Sequence, residues 1–182
     1  ASVRMPDREA CAELLGKTLQ QASATGKDTL MEILGDIGGS TALQTLAMAA
    51  RSDDPQQQDT GSRLLGKWNG VDAAPVLLDL AETAPAEKFQ IRALRGYISL
   101  ARRVAMPEPQ RVEMCRKAMG VASRQAERDL VFDVLKLHPS VGALKLAIEA
   151  TQDSATQDAA SQASLLTTLK NRDSYLSMPK CT

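Results

Sequence analysis

One stretch of about 30 residues, from Ser52 to Ala81, constrains the fold most, because it predicts two helices joined by a short corner. Asp53-Asp54-Pro55 is typical of a helix start, where an acidic cap precedes a proline in the first turn. Asn69-Gly70 predicts the end of that helix, since both residues tolerate the left-handed conformation. The apolar residues of the two helices recur at helical spacing: Leu64, Leu65 and Trp68, then Val76, Leu77, Leu80 and Ala81.

A unit of this size cannot bury its own apolar side, so it needs similar neighbours. The sequence supplies them at a regular spacing. Leu34-Gly35 and Leu65-Gly66 each precede a predicted helix end and lie 31 positions apart (65 − 34). The runs starting at Ser40 and Ser140 both open second helices, 100 positions apart (140 − 40), which equals three units of about 33.

Composition agrees with helices throughout. Aromatic residues make up only 3% of the chain, whereas a sandwich or barrel usually places such residues on its strands. No period-2 alternation predicts a strand. The longest helix is predicted over about 86–104, preceded by the break at Ala84-Pro85-Ala86, and the last over about 154–170.

Other helix boundaries follow from capping patterns. Pro6-Asp7 is expected to open a helix that runs to about Ser23, with Thr25-Gly26 ending it. Asp28 and Ser40 are expected to cap the second and third helices. We therefore predict an all-α, right-handed α-α superhelix of about ten helices in four to five pairs, as one continuous domain over 1–182.

The central unit resembles a HEAT-type repeat of the bacterial PBS-lyase class. The resemblance is carried by Asp54-Pro55, by Leu64-Leu65-Gly66 and by the run 71–80, with an Ala-x-Pro-x-Leu-like second helix. The stretches 29–50 and 127–150 are similar more loosely. The family usually has an arginine early in the first helix. Here that place falls near Gln58, with Lys88 at the comparable point of the next unit, so inter-repeat ion pairs are not indicated.

A second resemblance covers the middle of the chain. The runs 91–98 and 114–118 are similar to helical-repeat regions of planctomycete and Bacteroidetes-type envelope proteins, which often sit beside a 3-keto-disaccharide-hydrolase-like domain. This resemblance implies a non-catalytic segment of a longer, exported chain. It favours an exported or cell-envelope location over a cytoplasmic one.

Charge is unevenly distributed although the net charge is zero. Residues 86–128 carry 10 basic and 4 acidic side chains, a net of +6, while residues 1–85 carry 7 and 12, a net of −5. Within the longest predicted helix the basic side chains share an arc of about 100°. These residues form the candidate interaction surface: Lys88, Arg92, Arg95, Arg102 and Arg103.

Two interpretations of this surface stay open. The simpler one is a solvated outer helix face, and the functional one is a docking surface for an anionic protein, polysaccharide or nucleic acid. Recognition of nucleic acid usually adds aromatic side chains between the arginines. None lies on that face, and Tyr97 is predicted on the opposite, apolar side.

Reactive groups are few. The only histidine, His138, precedes Pro139 at a predicted helix end, where a contact with the helix dipole explains it. Cys115 lies on an apolar stripe, and with Cys11 and Cys181 it forms no metal-binding or disulfide spacing. No phosphate-binding, dinucleotide, zinc-protease or nucleophile-elbow motif is present. We therefore predict no catalytic, metal or cofactor site and no enzymatic activity, and no segment of 18 apolar residues predicts a membrane span.

The function predicted is a non-catalytic helical-repeat scaffold that binds another protein or an adjacent domain of its own chain, with no small-molecule substrate. The alternative is a nucleic-acid-binding HEAT-like enzyme of the DNA glycosylase type, which would require the basic residues on the concave inner layer. A third possibility is a spacer without a ligand.

Overall fold

A computed structural model of the protein describes residues 7–150, apart from the side chain of Ala24. Within these residues the chain is entirely helical, with no strand, which confirms the all-α prediction. The tenth helix predicted at 154–170 lies outside the described residues. The α-helices in chain order are α1 (Arg8–Leu19), α2 (Ala24–Ile37), α3 (Ser40–Ala49), α4 (Pro55–Gly66), α5 (Ala74–Thr83), α6 (Glu87–Arg103), α7 (Glu108–Val121), α8 (Gln125–Leu137) and α9 (Val141–Ala150).

The boundary between α1 and α2 differs from the prediction. Ser23 caps α2, and its hydroxyl accepts a hydrogen bond from the Gly26 N–H at 3.4 Å. Thr25-Gly26 therefore lies in the first turn of α2 rather than ending α1. Asp28 lies inside the same helix, where it binds residues of α4 instead of capping.

The central unit begins as predicted but ends earlier. Asp54 caps α4 by accepting a hydrogen bond from the Gln56 N–H at 3.0 Å, and Pro55 is the first helical residue. The helix ends at Gly66, three residues before the predicted end at Asn69-Gly70. The Lys67 N–H turns back to the Leu64 carbonyl, and a 3₁₀ turn (Val71–Ala73) then leads into α5.

The chain divides into two units at Gly96, within α6, and each is considered by itself. In the first unit, a helix packs against the adjacent helix and against the helix two positions away in the chain. Thus α1 packs against α2 and α3, and α4 packs against α3 and α2. Its core is built from alanine, leucine and a few larger side chains: Ala12, Met31, Leu34, Leu46, Leu65, Leu77, Leu80 and Phe89.

In the second unit, α7, α8 and α9 pack against one another. Cys115, Val131, Phe132 and Leu135 are buried there. In α9, Val141 and Ile148 are 63% and 51% exposed. The buried stripe is instead formed by Ala143, Leu146 and Ala147, where small side chains allow close helix packing.

Polar contacts join helices that lie two apart in the chain, and we call them the alternate-helix contacts. Each connects residues separated by 28 to 36 positions. In the first unit they link Glu9 with Ser40 and Thr41, Asp28 with Gln56 and Thr60, Glu32 with Arg63, Arg51 with Asp79, and Arg92 with Asp59 and Ser62. In the second they link Arg102 with His138, Glu108 with Gly142, and Arg116 with Glu149.

The residue that caps α3 is Glu9, whereas the sequence predicted that Ser40 would cap it. Gly38 and Gly39 end α2 as expected, with φ of 68° and 92°, and Ser40 is the first residue of α3. The Glu9 carboxylate of α1 accepts hydrogen bonds from the N–H groups of Ser40 and Thr41, each at 3.0 Å. Hydrogen bonds from the Thr41 hydroxyl and N–H, and then from Ser40, lower the Glu9 pKa from 4.5 to about 2.

We expect this cap to make the first unit sensitive to acid. Because the folded-state pKa lies below the unfolded value, the stabilisation is present above pH 4.5 and is lost as the pH falls towards 2. The difference in urea midpoint between wild type and Glu9→Gln should therefore be largest above pH 4.5 and shrink on acidification. The control is Glu82→Gln, which removes an exposed carboxylate without removing a cap. A difference that does not change with pH would contradict this role.

Helices α4 and α6 approach each other at two glycines. A Cβ added to Gly96 would lie 2.9 Å from the Gly66 Cα and 3.2 Å from the Gly66 carbonyl oxygen. Both neighbouring atoms belong to the backbone, so they cannot move aside without shifting a helix. Gly96 therefore fixes the distance between the two helices.

Alanine substitutions at two helical glycines should change stability in opposite directions. Gly96→Ala should destabilise the protein by about 1–3 kcal/mol through overpacking. Gly120→Ala in α7, where a Cβ would meet no atom within 4 Å, should stabilise it by about 0.5 kcal/mol, because alanine favours the helix. Urea unfolding followed by circular dichroism measures both. Stabilisation by Gly96→Ala would show that α4 and α6 do not meet here.

Candidate functional site

The five residues of the candidate interaction surface all lie on α6. Lys88, Arg92 and Arg95 belong to the first unit, and Arg102 and Arg103 to the second. Arg92 is half-buried and the other four are exposed. The interaction surface stays a prediction.

Arg92 makes intramolecular contacts that the sequence did not indicate. Its Nη1 donates to the Asp59 carbonyl oxygen at 3.1 Å, to the Asp59 Oδ1 at 3.0 Å and to the buried Ser62 Oγ at 2.7 Å. These bonds attach α6 to α4. The signal that could have identified them is the spacing of opposite charges, 33 residues for Asp59 and Arg92 (92 − 59) and 31 for Glu32 and Arg63 (63 − 32).

The aromatic ring at the start of α6 contacts two cations. The Lys88 Nζ lies 4.4 Å from the centroid of the Phe89 ring, and the Arg92 guanidinium carbon lies 5.7 Å from it. Phe89 is itself buried, so its ring anchors α6 while the ammonium of Lys88 stays in solvent.

In the second unit, the basic end of α6 lies next to His138. The Arg103 Nε donates to the Ser99 Oγ at 2.9 Å. The Nε2 of His138 lies 3.0 Å from the carbonyl oxygen of Arg102, in the last turn of α6. His138 also ends α8, where its N–H bonds to the Val134 carbonyl. His138 lies at a helix end as predicted, but its imidazole contacts the last turn of α6 rather than that of its own helix α8.

Two groups that could act as nucleophiles or acids are protonated at neutral pH. Burial raises the pKa of the Cys115 thiol to about 12, and burial also raises the pKa of Tyr97 to about 12. A thiol that keeps its proton is a weak nucleophile, which agrees with the packing role predicted for Cys115. Among residues 7–150, no group of three or more His, Cys, Asp or Glu side chains could hold a metal ion.

The first unit contains a cavity of about 490 Å³. It lies where two successive corners meet, the one after α2 and the one after α4. Four of its lining residues are glycines, which contribute backbone alone, and the others include charged side chains of both signs. Its lining residues are Arg8, Gly35, Asp36, Gly38, Gly39, Leu64, Lys67, Trp68, Asn69, Gly70 and Asp72.

One wall of the cavity is fixed by a side-chain hydrogen bond. The indole Nε1 of Trp68 donates to the Asp72 Oδ1 at 3.2 Å, and Trp68 is otherwise buried. This hydrogen bond therefore fixes the orientation of the Asp72 carboxylate in the corner after α4. Sequence reasoning identified both corners as helix ends, but it gave no sign that they meet around a cavity, since that depends on the packing of α2 against α4.

Comparison with known proteins gives no family: no family model matches the chain, and no curated protein matches it. None of the helices within residues 7–150 combines the length and the apolar character needed to cross a membrane.

Proposed function

We propose that the protein is a non-catalytic helical-repeat scaffold of the HEAT-like type, whose helices alternate between two layers of a right-handed superhelix and which binds another protein. The observation that carries this proposal is the set of alternate-helix contacts. Their separations cluster around 31 to 34 residues, close to the period of the sequence repeat. Contacts that repeat at such a period are typical of stacked helix pairs.

The direction of these contacts also supports stacking. The acid near the start of α1, Glu9, binds the first turn of α3, and the acid at the start of α7, Glu108, binds the first turn of α9 at 3.3 Å. A helix start that is capped by the preceding equivalent helix needs the two helices side by side. The even-numbered helices α2, α4 and α6 are joined by side-chain contacts of Asp28, Glu32 and Arg92 rather than by caps.

Binding of a protein is favoured over chemistry because the polar groups of the described residues serve packing. The buried hydroxyls of Thr60 and Ser62 bond to neighbouring helices, the buried Glu127 carboxylate lies 3.5 Å from Arg124 at the start of its own helix, and Cys115 lies in the core. Stacked helical repeats offer a long, rigid surface with many independent positions, which suits recognition of an extended partner. The partner would be another protein or an adjacent domain of a longer chain.

The proposal predicts that the full chain does not bind nucleic acid. A fluorescent 20-base-pair DNA duplex and its single strand should show no binding at about 50 mM salt, where phosphate contacts are strongest. Tight binding with a steep salt dependence would contradict the proposal and favour the glycosylase-type alternative, particularly if Lys88→Glu weakened it and Lys145→Glu, in α9, did not.

The positive test is chemical cross-linking of the tagged full chain in its native cells, followed by rebinding of each purified candidate protein. We expect one protein to rebind with a Kd in the micromolar range or tighter. Absence of any protein that rebinds would contradict a scaffold role.

A further inference from the structure

The cavity coincides with an interruption in the alternate-helix contacts between α2 and α4. The Thr60 hydroxyl donates to Asp28 at 2.8 Å, and the Arg63 Nη2 lies 3.1 Å from the Glu32 carboxylate, at separations of 32 and 31 residues. One helical turn beyond Glu32 and Arg63 stand Asp36 and Lys67, again 31 apart (67 − 36) and of opposite charge. Another ion pair between α2 and the end of α4 is therefore expected, formed by Asp36 and Lys67.

That ion pair is not formed. Within residues 7–150, neither Asp36 nor Lys67 makes an ion pair, and both side chains are exposed and line the cavity. Arg8, at the start of α1, lines the same cavity and is also without an ion-pair partner among the described residues. The cavity thus presents two separate cations and one separate anion, in addition to Asp72, which accepts a hydrogen bond from Trp68.

Four glycines line the cavity together with these charged side chains. Gly35, Gly38, Gly39 and Gly70 contribute backbone alone to the lining, and a Cβ at Gly38 would meet no atom within 4 Å. A ligand main chain can approach such a lining closely. The volume of about 490 Å³ lies within the range of about 300–1,000 Å³ that is usual for ligand-binding pockets.

We propose that this cavity binds a short peptide segment of a partner protein that carries one basic and one acidic side chain, which pair with Asp36 and with Lys67 respectively. Arg8 adds a second cation for the acidic side chain. The inference rests on the proposed function, because it assigns the protein partner to a place on the scaffold and states its chemistry. A segment with charges of one sign would leave either Asp36 or Lys67 facing a like charge, which disfavours it.

The experiment uses the full chain and a phage-displayed library of random linear heptapeptides. Enriched peptides are synthesised with fluorescein, and their Kd values are measured by fluorescence anisotropy. Two charge reversals, Asp36→Lys and Lys67→Glu, are compared with Asp53→Lys and Lys145→Glu, which reverse exposed charges outside the cavity lining. All four variants should stay folded under the conditions of the binding assay, because none removes an ion pair among residues 7–150.

We expect enriched peptides to contain both an acidic and a basic residue. Either cavity variant should weaken their binding by about tenfold or more, since an attraction is replaced by a repulsion, while the two controls should change it less than about twofold. The double variant Asp36→Lys/Lys67→Glu should bind a peptide with the two charged residues exchanged better than wild type does.

Three results would overturn the inference, and they have different consequences for the scaffold. Peptides that bind equally well to wild type and to both cavity variants would place peptide recognition elsewhere, and the scaffold proposal would survive. Selection of no binding peptide, together with failure of the cross-linking test, would overturn both. Peptides carrying charges of one sign only would contradict the role given to Asp36 and Lys67.

Discussion

A single helix of this chain cannot bury its apolar face by itself, so it must pack against other helices. In the first unit this requirement is visible in α4, which packs against both α2 and α3 and approaches α6 at Gly66 and Gly96. Polar side chains then fix the alignment between helices that the apolar contacts alone would leave free to slide. Hydrogen bonds are directional, whereas hydrophobic contact is not.

The alternate-helix contacts distribute this alignment over many weak interactions. Exposed ion pairs such as Glu32 with Arg63 contribute little stability individually. Arg92 makes three of these contacts, because its Nη1 donates to a carbonyl, a carboxylate and a hydroxyl oxygen of α4. Its role also explains why a basic residue on the predicted outer face of α6 need not serve a ligand. The cavity shows the opposite behaviour. Asp36 and Lys67 have the same 31-residue spacing and opposite charges, but they do not form an ion pair there.

Much of the fold could be predicted from the sequence where the signal is local. Asp54-Pro55 and Gly38-Gly39 marked helix ends through capping and backbone conformation, and the buried face of α6 followed from its 3.6-residue period. The predictions for Ser40 and Asp28 were wrong: Glu9 of another helix caps α3 in place of Ser40, and α2 begins before Asp28 because Ser23 caps it. Glu9 caps α3 from 31 residues away, which no local pattern contains. The cavity could not be predicted, because it depends on how two corners meet in space.

The most direct test of the account is a double-mutant cycle for the contact between α4 and α6, measured by urea unfolding. Asp59→Ala, Arg92→Ala and the double variant should give a coupling energy of about 0.5–1 kcal/mol, as is usual for a partly exposed ion pair. The matched cycle of Glu32→Ala with Arg92→Ala should give a coupling near zero, because Glu32 pairs with Arg63 instead. Additive effects of Asp59 and Arg92, or equal coupling in the two cycles, would contradict the claim that polar contacts between alternate helices align this fold.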